Sequence, residues 1–205
     1  MKILVTQRSY YHKEYNENRD TIDQKLVSWV SKLKCTPILV PNNLVRKKSS
    51  YLLSKFIKVI KPDGLILSGG DDFRKFINRD KTEIFLLKYF LKKKKPVLGI
   101  CRGMLLISKF FGSKIIKKRG HVNTIHKVII HSNKKNFPEK VNSYHHYSIK
   151  KCPKNFIINV ISEDRSIESI SYPVKKIECC MWHPERDKQF SKQYILRIKN
   201  FFNDR

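Results

Sequence analysis

One cysteine stands where a nucleophile would be built. Cys101 lies in Gly99-Ile100-Cys101-Arg102-Gly103, directly after the apolar run Val97 to Ile100. Met104, Leu105, Ile107, Phe110 and Phe111 follow at helical spacing, so Cys101 falls on the turn from a buried strand into a helix. Such a turn is strained, and a glycine two residues to either side lets the two backbones pass each other. The unpaired N–H groups of a helix start also favour an anion there. A single cysteine is otherwise most often a small core residue; the paired glycines turn the reading toward a reactive thiol. Far downstream, Trp182-His183-Pro184-Glu185-Arg186 offers an imidazole and a carboxylate two residues apart, stiffened by proline. That is the base-and-orienter half of a triad. Ser68-Gly69-Gly70-Asp71-Asp72 closes a third apolar strand. Two successive glycines there expose backbone N–H groups that could cradle an oxyanion or a phosphate.

These pieces need a scaffold that gathers strand ends along one edge. Lys2 to Thr6, Gly64 to Leu67 and Val97 to Ile100 read as buried strands, and Pro37 to Val40 as a further strand closed by Pro41. Helical faces lie between them, at Ile22 to Leu33, Leu52 to Ile60 and Arg79 to Leu91, the last capped by Lys92 to Lys95. Gln7 to Asn18 is polar and aromatic without a period and reads as a loop over the ligand-carrying edge. The alternation is a βαβ series and predicts an α/β fold: a doubly wound, mostly parallel sheet with helices on both faces. Past Phe111 the texture changes to short alternating segments at Ile115-Ile116, Thr124 to Ile130, Phe156 to Ser162, Ser166 to Tyr172 and Ile177 to Met181. They predict a small added β-region in the second half, which returns one strand to the main sheet before a closing helix over Gln189 to Phe202. At 205 residues the expectation is a single domain spanning 1–205.

Composition narrows the partners. No run is long and apolar enough to span a bilayer, and the opening apolar stretch is too short for a signal peptide. The five cysteines form no C-x-x-C pair, so neither a disulfide framework nor a zinc site is expected, and a reducing cytoplasm fits. The net charge of +27 is carried mostly by lysines spread along the chain, without the arginine-aromatic interleaving of a base-reading surface. It disfavours nucleic acid as the partner while leaving attraction of anionic small molecules. No metal and no cofactor is called for. His12, His121, His126 and His131 receive no role.

Taken together, the motifs resemble the class I glutamine amidotransferases, in the γ-glutamyl hydrolase branch (peptidase family C26). The resemblance is carried by Leu67-Ser68-Gly69-Gly70-Asp71, Arg79-Asp80-x-x-Glu83, Gly99-Ile100-Cys101-Arg102-Gly103-Met104, Val141-Asn142-Ser143-x-His145-His146, Ile167-Glu168-Ser169-Ile170 and Trp182-His183-Pro184-Glu185. It implies a flavodoxin-like sheet and a Cys101-His183-Glu185 triad working through a γ-glutamyl thioester. It further implies an oxyanion hole from the backbone N–H groups of Gly70 and Arg102, and glutamyl contacts from Gly69, Arg102, Ser143 and His145. Glu168 matches a position of structural support. Tyr147 after His145-His146, the short chain and Arg186 resemble a small bacterial subgroup that removes a γ-glutamyl group from a cytidine-diphosphate amidate in capsule or surface-polysaccharide phosphoramidate synthesis. The implied partner is a nucleotide-linked small molecule, with a homodimer allowed and no membrane. A γ-glutamyl-aminobutyrate or polyamine hydrolase, and a glutaminase subunit feeding ammonia to a synthetase, stay open as alternatives. For a phosphate-bearing substrate, Arg8, Lys13, Arg74, Arg79 and Arg186 are the cations expected at the mouth above Cys101.

Overall fold

Gly64–Leu67 and Val97–Ile100 bury every residue on both faces, as central parallel strands covered by helices must. They lie in a computed structural model that describes residues 1–45, 49–73, 75–131 and 136–204. In chain order its strands and α-helices are β1 (Lys2–Thr6), β2 (Arg8–His12), β3 (Glu17–Thr21), α1 (Gln24–Lys32), β4 (Thr36–Val40), α2 (Tyr51–Ile60), β5 (Gly64–Leu67) and α3 (Ile77–Lys92). They continue with β6 (Val97–Ile100), α4 (Arg102–Phe110), β7 (Ile115–Lys117), β8 (Val122–Ile130), β9 (Lys140–Tyr144), β10 (Tyr147–Ile149), β11 (Ile157–Ser162), β12 (Ile167–Tyr172), β13 (Ile177–Cys180) and α5 (Lys192–Asn203).

The main sheet runs β4-β1-β5-β6-β13-β12-β11-β8-β9. From β4 to β13 every ladder is parallel; from β13 outward every ladder is antiparallel. The second half therefore extends the same sheet, with β13 returned beside β6 as its composition predicts. Successive residues of β1 point to opposite faces, and the core divides accordingly. Leu4, Leu65, Leu67 and Val97 pack with residues of α2, α3 and α4 on one side. Ile3, Val5, Ile66, Leu98 and Ile100 pack with Trp29 of α1 and with Tyr194, Ile198 and Phe202 of α5 on the other.

Two stretches differ from the sequence reading. The segment expected as a loop holds a hairpin, β2 paired antiparallel with β3. Ser9 is its one buried residue, so no apolar alternation could betray it. Polar bonds hold it instead: Asp20 accepts from the backbone N–H and side-chain amide of Asn42 (2.8 Å each), and Asp71 accepts from the Ser9 N–H (2.9 Å). The second holds β9 and β10: Lys-Val-Asn-Ser-Tyr is polar enough to escape a strand reading, and the three residues Tyr147–Ile149 pair with β7 outside the main sheet.

Candidate active site

Cys101 leaves β6 at φ 50°, ψ −105°, a backbone region that a non-glycine residue occupies only under constraint. Its N–H donates to the Cys180 carbonyl at 2.7 Å, tying the turn to the neighbouring strand. The flanking glycines are needed for packing. A Cβ on Gly103 would stand 2.1 Å from the Leu67 carbonyl oxygen, and one on Gly99 would meet the backbone of Gly103 and Met104 at 2.9 Å.

His183 follows β13, the strand paired with β6. Its Nδ1 lies 2.6 Å from Glu185 Oε1, and the ring shares the cavity wall with Cys101, whose interaction favours the protonated imidazole. Burial alone would lower the imidazole pKa. The Cys101 side chain and the Glu185 carboxylate outweigh it and hold the pKa up at about 9. Thiol, imidazole and carboxylate thus gather in one place, all at most 6% exposed.

Two residues that the sequence left without a role fix His183. Asn142 brackets its backbone, accepting from the His183 N–H (2.9 Å) and donating to the His183 carbonyl (2.8 Å). Tyr144 sets its ring edge-on at 6.0 Å. Both belong to the segment that opens with Val141-Asn142-Ser143, and the signal was the motif itself rather than any chemistry of an amide. Gly69, expected at the substrate, lies against the imidazole instead, since a Cβ there would stand 2.4 Å from His183 Cε1.

Cys101 and His183 open into a cavity of about 510 Å³, lined also by Gly70, Lys75, Arg102, Tyr144, His145 and Arg186. Gly70 takes φ +91° at its rim. Arg102 starts α4, where backbone N–H groups lack intrahelical partners, but its side chain turns away into a buried ion network with Glu83 and Asp80. Arg79 belongs to that network, with Glu83 at 3.0 Å and Asp71 at 2.8 Å. It also donates to the carbonyls of Ser68 (3.0 Å) and Gly69 (2.9 Å). Burial would raise the Glu83 pKa, yet the charges of Arg79 and Arg102 hold it below the usual carboxylate range. The network shapes the Gly69-Gly70 turn from beneath.

Several expected contacts sit elsewhere. Arg79 is fully buried and cannot reach a substrate phosphate. Ser143 is fully buried too, its hydroxyl donating to the His121 carbonyl at 2.7 Å. Arg8 lays its stem across Gly70, and Arg186 lies over the Tyr144 ring at 4.7 Å. Lys13 is exposed in the turn between β2 and β3, outside the residues that line the cavity. Arg74 falls outside the described residues. His145 reaches the cavity wall and also meets His121 and Glu168, which no spacing foretold. Burial first, and the charge of Asp164 second, push Glu168 up to about 8.

A thiol on a strained elbow after β6, near a His-Glu pair that follows the adjacent strand of a doubly wound sheet, is the arrangement that the resemblance to the glutamine amidotransferases implies. The chain belongs to that family: the class I glutamine amidotransferase profile matches residues 15–203. It is 29% identical to the γ-glutamyl-CDP-amidate hydrolase of Campylobacter jejuni over 96% of each chain. It is 31% identical to the glutamine-hydrolyzing GMP synthase subunit of Pyrococcus furiosus, over 63% of this chain and 69% of that protein. The glutaminase domain of Trypanosoma brucei CTPS has the same fold, with a TM-score of 0.72 at 11% identity over 100% of this chain and 94% of that one.

Proposed function

We propose that the protein is a free-standing, single-domain hydrolase of a γ-glutamyl C–N amide bond. Its substrate is an anionic, nucleotide-linked conjugate of the γ-glutamyl-CDP-amidate type, used in making capsule or surface-polysaccharide phosphoramidates. The Cys101-His183-Glu185 constellation carries this reading. Cys101 gives its proton to His183, and its Sγ attacks the γ-carbonyl carbon. The oxyanion that forms is held by the N–H groups of Gly70 and Arg102, where preorganised donors matter most. His183 passes a proton to the leaving nitrogen, the C–N bond breaks, and a γ-glutamyl thioester remains. His183 then takes a proton from water, whose oxygen attacks the thioester and releases glutamate and the thiol. Glu185 keeps the imidazole in one tautomer and orientation.

The leaving group is argued from charge. Lys75 and Arg186 face the cavity, Arg8 lies at its glycine rim, and the chain carries +27 overall. Near full-length similarity to a γ-glutamyl-CDP-amidate hydrolase supports the same choice. Kinetics on a γ-glutamyl nucleotide amidate and on γ-glutamyl-aminobutyrate test it. The nucleotide substrate should win in kcat/KM by at least about a hundredfold, or ~2.7 kcal/mol, with the advantage shrinking as salt rises. Equal rates would favour the aminobutyrate or polyamine type. The similarity to a glutamine-hydrolyzing GMP synthase subunit supports a second reading, a glutaminase that feeds a synthetase; free glutamine hydrolysed only when a partner chain is added would establish it. In every case Cys101→Ala should abolish glutamate release from a folded protein. An active Cys101→Ala variant would remove the nucleophile assignment.

A further inference from the structure

Outside the triad, three buried ligand-type side chains converge from distant segments. His121 directly precedes β8, His145 links β9 to β10, and Glu168 lies in β12. They are 2%, 3% and 0% exposed. Glu168 Oε1 is 3.5 Å from His121 Nδ1 and 3.8 Å from His145 Nε2, and the three ligand atoms lie within 4.8 Å of one another. Neither contact is a hydrogen bond. His121 Nδ1, His145 Nε2 and both Glu168 oxygens find no hydrogen-bond partner among the described residues.

The far side of each ring explains why. His121 Nε2 stands 2.9 Å from Asp164 Oδ2, a carboxylate that also accepts from Lys118 and Ser162, so this nitrogen carries a proton and donates. His145 Nδ1 stands 2.9 Å from the Tyr147 carbonyl and can only donate there. In the neutral rings, the inward nitrogens are therefore bare lone pairs facing a carboxylate. Three electron-pair donors pointed at one spot repel each other unless a cation lies between them. One proton on Glu168 can satisfy one imidazole but not two. Orientation of metal-ligating histidines by a carboxylate or a carbonyl on the other nitrogen is the usual outer-shell pattern. A tetrahedral ion with ligands at about 2.0–2.2 Å separates them by about 3.3–3.6 Å; the Glu168–His121 pair already stands at 3.5 Å and the Glu168–His145 pair at 3.8 Å, so a small inward shift would close the set on an ion.

We propose that His121, His145 and Glu168 bind a divalent zinc-class cation, a site the cysteine spacing gave no reason to expect. Two nitrogens and one carboxylate oxygen suit zinc and leave a fourth position for water or another ligand. The ion would clip the start of β8, the β9–β10 link and β12 together behind the cavity wall.

The full chain, stripped with EDTA, should take up one equivalent of zinc chloride, retain it through gel filtration and melt at a higher temperature. Cobalt chloride should give the visible absorption of a low-coordinate ion. His121→Ala and Glu168→Gln should weaken zinc binding at least about a hundredfold, and Asp164→Ala about tenfold to a hundredfold. Circular dichroism identifies any variant that fails to fold, and the wild-type titration does not depend on those variants. Cys101→Ala should still bind zinc. Zinc that is lost in Cys101→Ala but kept in His121→Ala would place the ion on the catalytic pair and overturn the proposal. Failure of the stripped wild-type chain to retain zinc or cobalt, with no change in melting, would overturn it too.

Discussion

Gly69→Ala is the smallest change that should stop catalysis without touching a reacting group. The added methyl carbon would lie 2.4 Å from His183 Cε1 and 3.2 Å from Nε2. Ordinary contact begins near 3.4 Å, so the ring must withdraw by about 1 Å, a misplacement worth on the order of a hundredfold in rate. It has little freedom to withdraw without loss. Nδ1 is fixed 2.6 Å from Glu185 Oε1, and Asn142 holds the His183 peptide on both sides. Retreat therefore stretches the Glu185 bond or parts the imidazole from Cys101. Either raises the barrier by ~2.7 kcal/mol, the equivalent of the hundredfold loss. Gly69 is not among the positive-φ glycines, so alanine adds no backbone strain there, and the overpacking should cost about 1–3 kcal/mol of stability. Gly112→Ala is the matched control. At φ +89° it strains the backbone, yet nothing lies within 4 Å of its new methyl, so stability should fall by about 1–3 kcal/mol with kcat unchanged. The assay is glutamate release from a γ-glutamyl amide, with a thermal melt on the same samples. If Gly69→Ala retained activity within about threefold of the wild type, its assigned role beside His183 would be wrong.

Asn142→Leu should lower kcat by about tenfold or more with KM little changed, because it frees the His183 peptide and removes no substrate contact; a pure KM effect would contradict that. Glu83→Leu leaves Arg79 and Arg102 buried without their shared carboxylate. It should cost about 3–5 kcal/mol, a fall in Tm on the order of 10 °C, and calorimetry would reveal a smaller loss. The His183 pKa, held up at about 9 against an ordinary 6.5, makes its stabilising contribution complete below about pH 6.5. That contribution is lost as pH rises toward about 9. Urea midpoints across that window should fall more steeply for the wild type than for Glu185→Gln, which removes the carboxylate bonded to the ring. Parallel slopes would show that Glu185 does not hold the proton on His183.

The legible part of this molecule was what period and punctuation encode. The buried strands, their helices and the glycine-flanked elbow at Cys101 all follow from apolar spacing, and the structure places His183 and Glu185 beside Cys101 as the motifs suggest. Contacts between residues distant in sequence were not legible. Arg79 reads as a substrate-facing cation at the mouth above Cys101 until Glu83 and Asp71 close around it. Ser143 reads as a substrate ligand until its hydroxyl meets the His121 carbonyl. Asn142 carries no chemical signature of a histidine clamp, because its role depends on β9 lying beside the chain that follows β13. The β2–β3 hairpin escaped because its pairing is held by Asp20, Asn42 and Asp71 rather than by an apolar face.

The register that pairs Cys180 with Ile100 sets how this enzyme should die on heating. The proposed nucleophile, Cys101, lies one residue beyond β6 and its proposed base, His183, three residues beyond the adjacent β13 at the centre of the sheet, and neither rides on a surface lid. A mobile-loop site can melt early and leave a folded, inactive body. Here the two groups separate only when the innermost ladder opens, and that ladder is also the middle of both cores. Inactivation and global unfolding should therefore share one transition, with slow hydrogen exchange at the Cys101 amide persisting until the whole chain lets go.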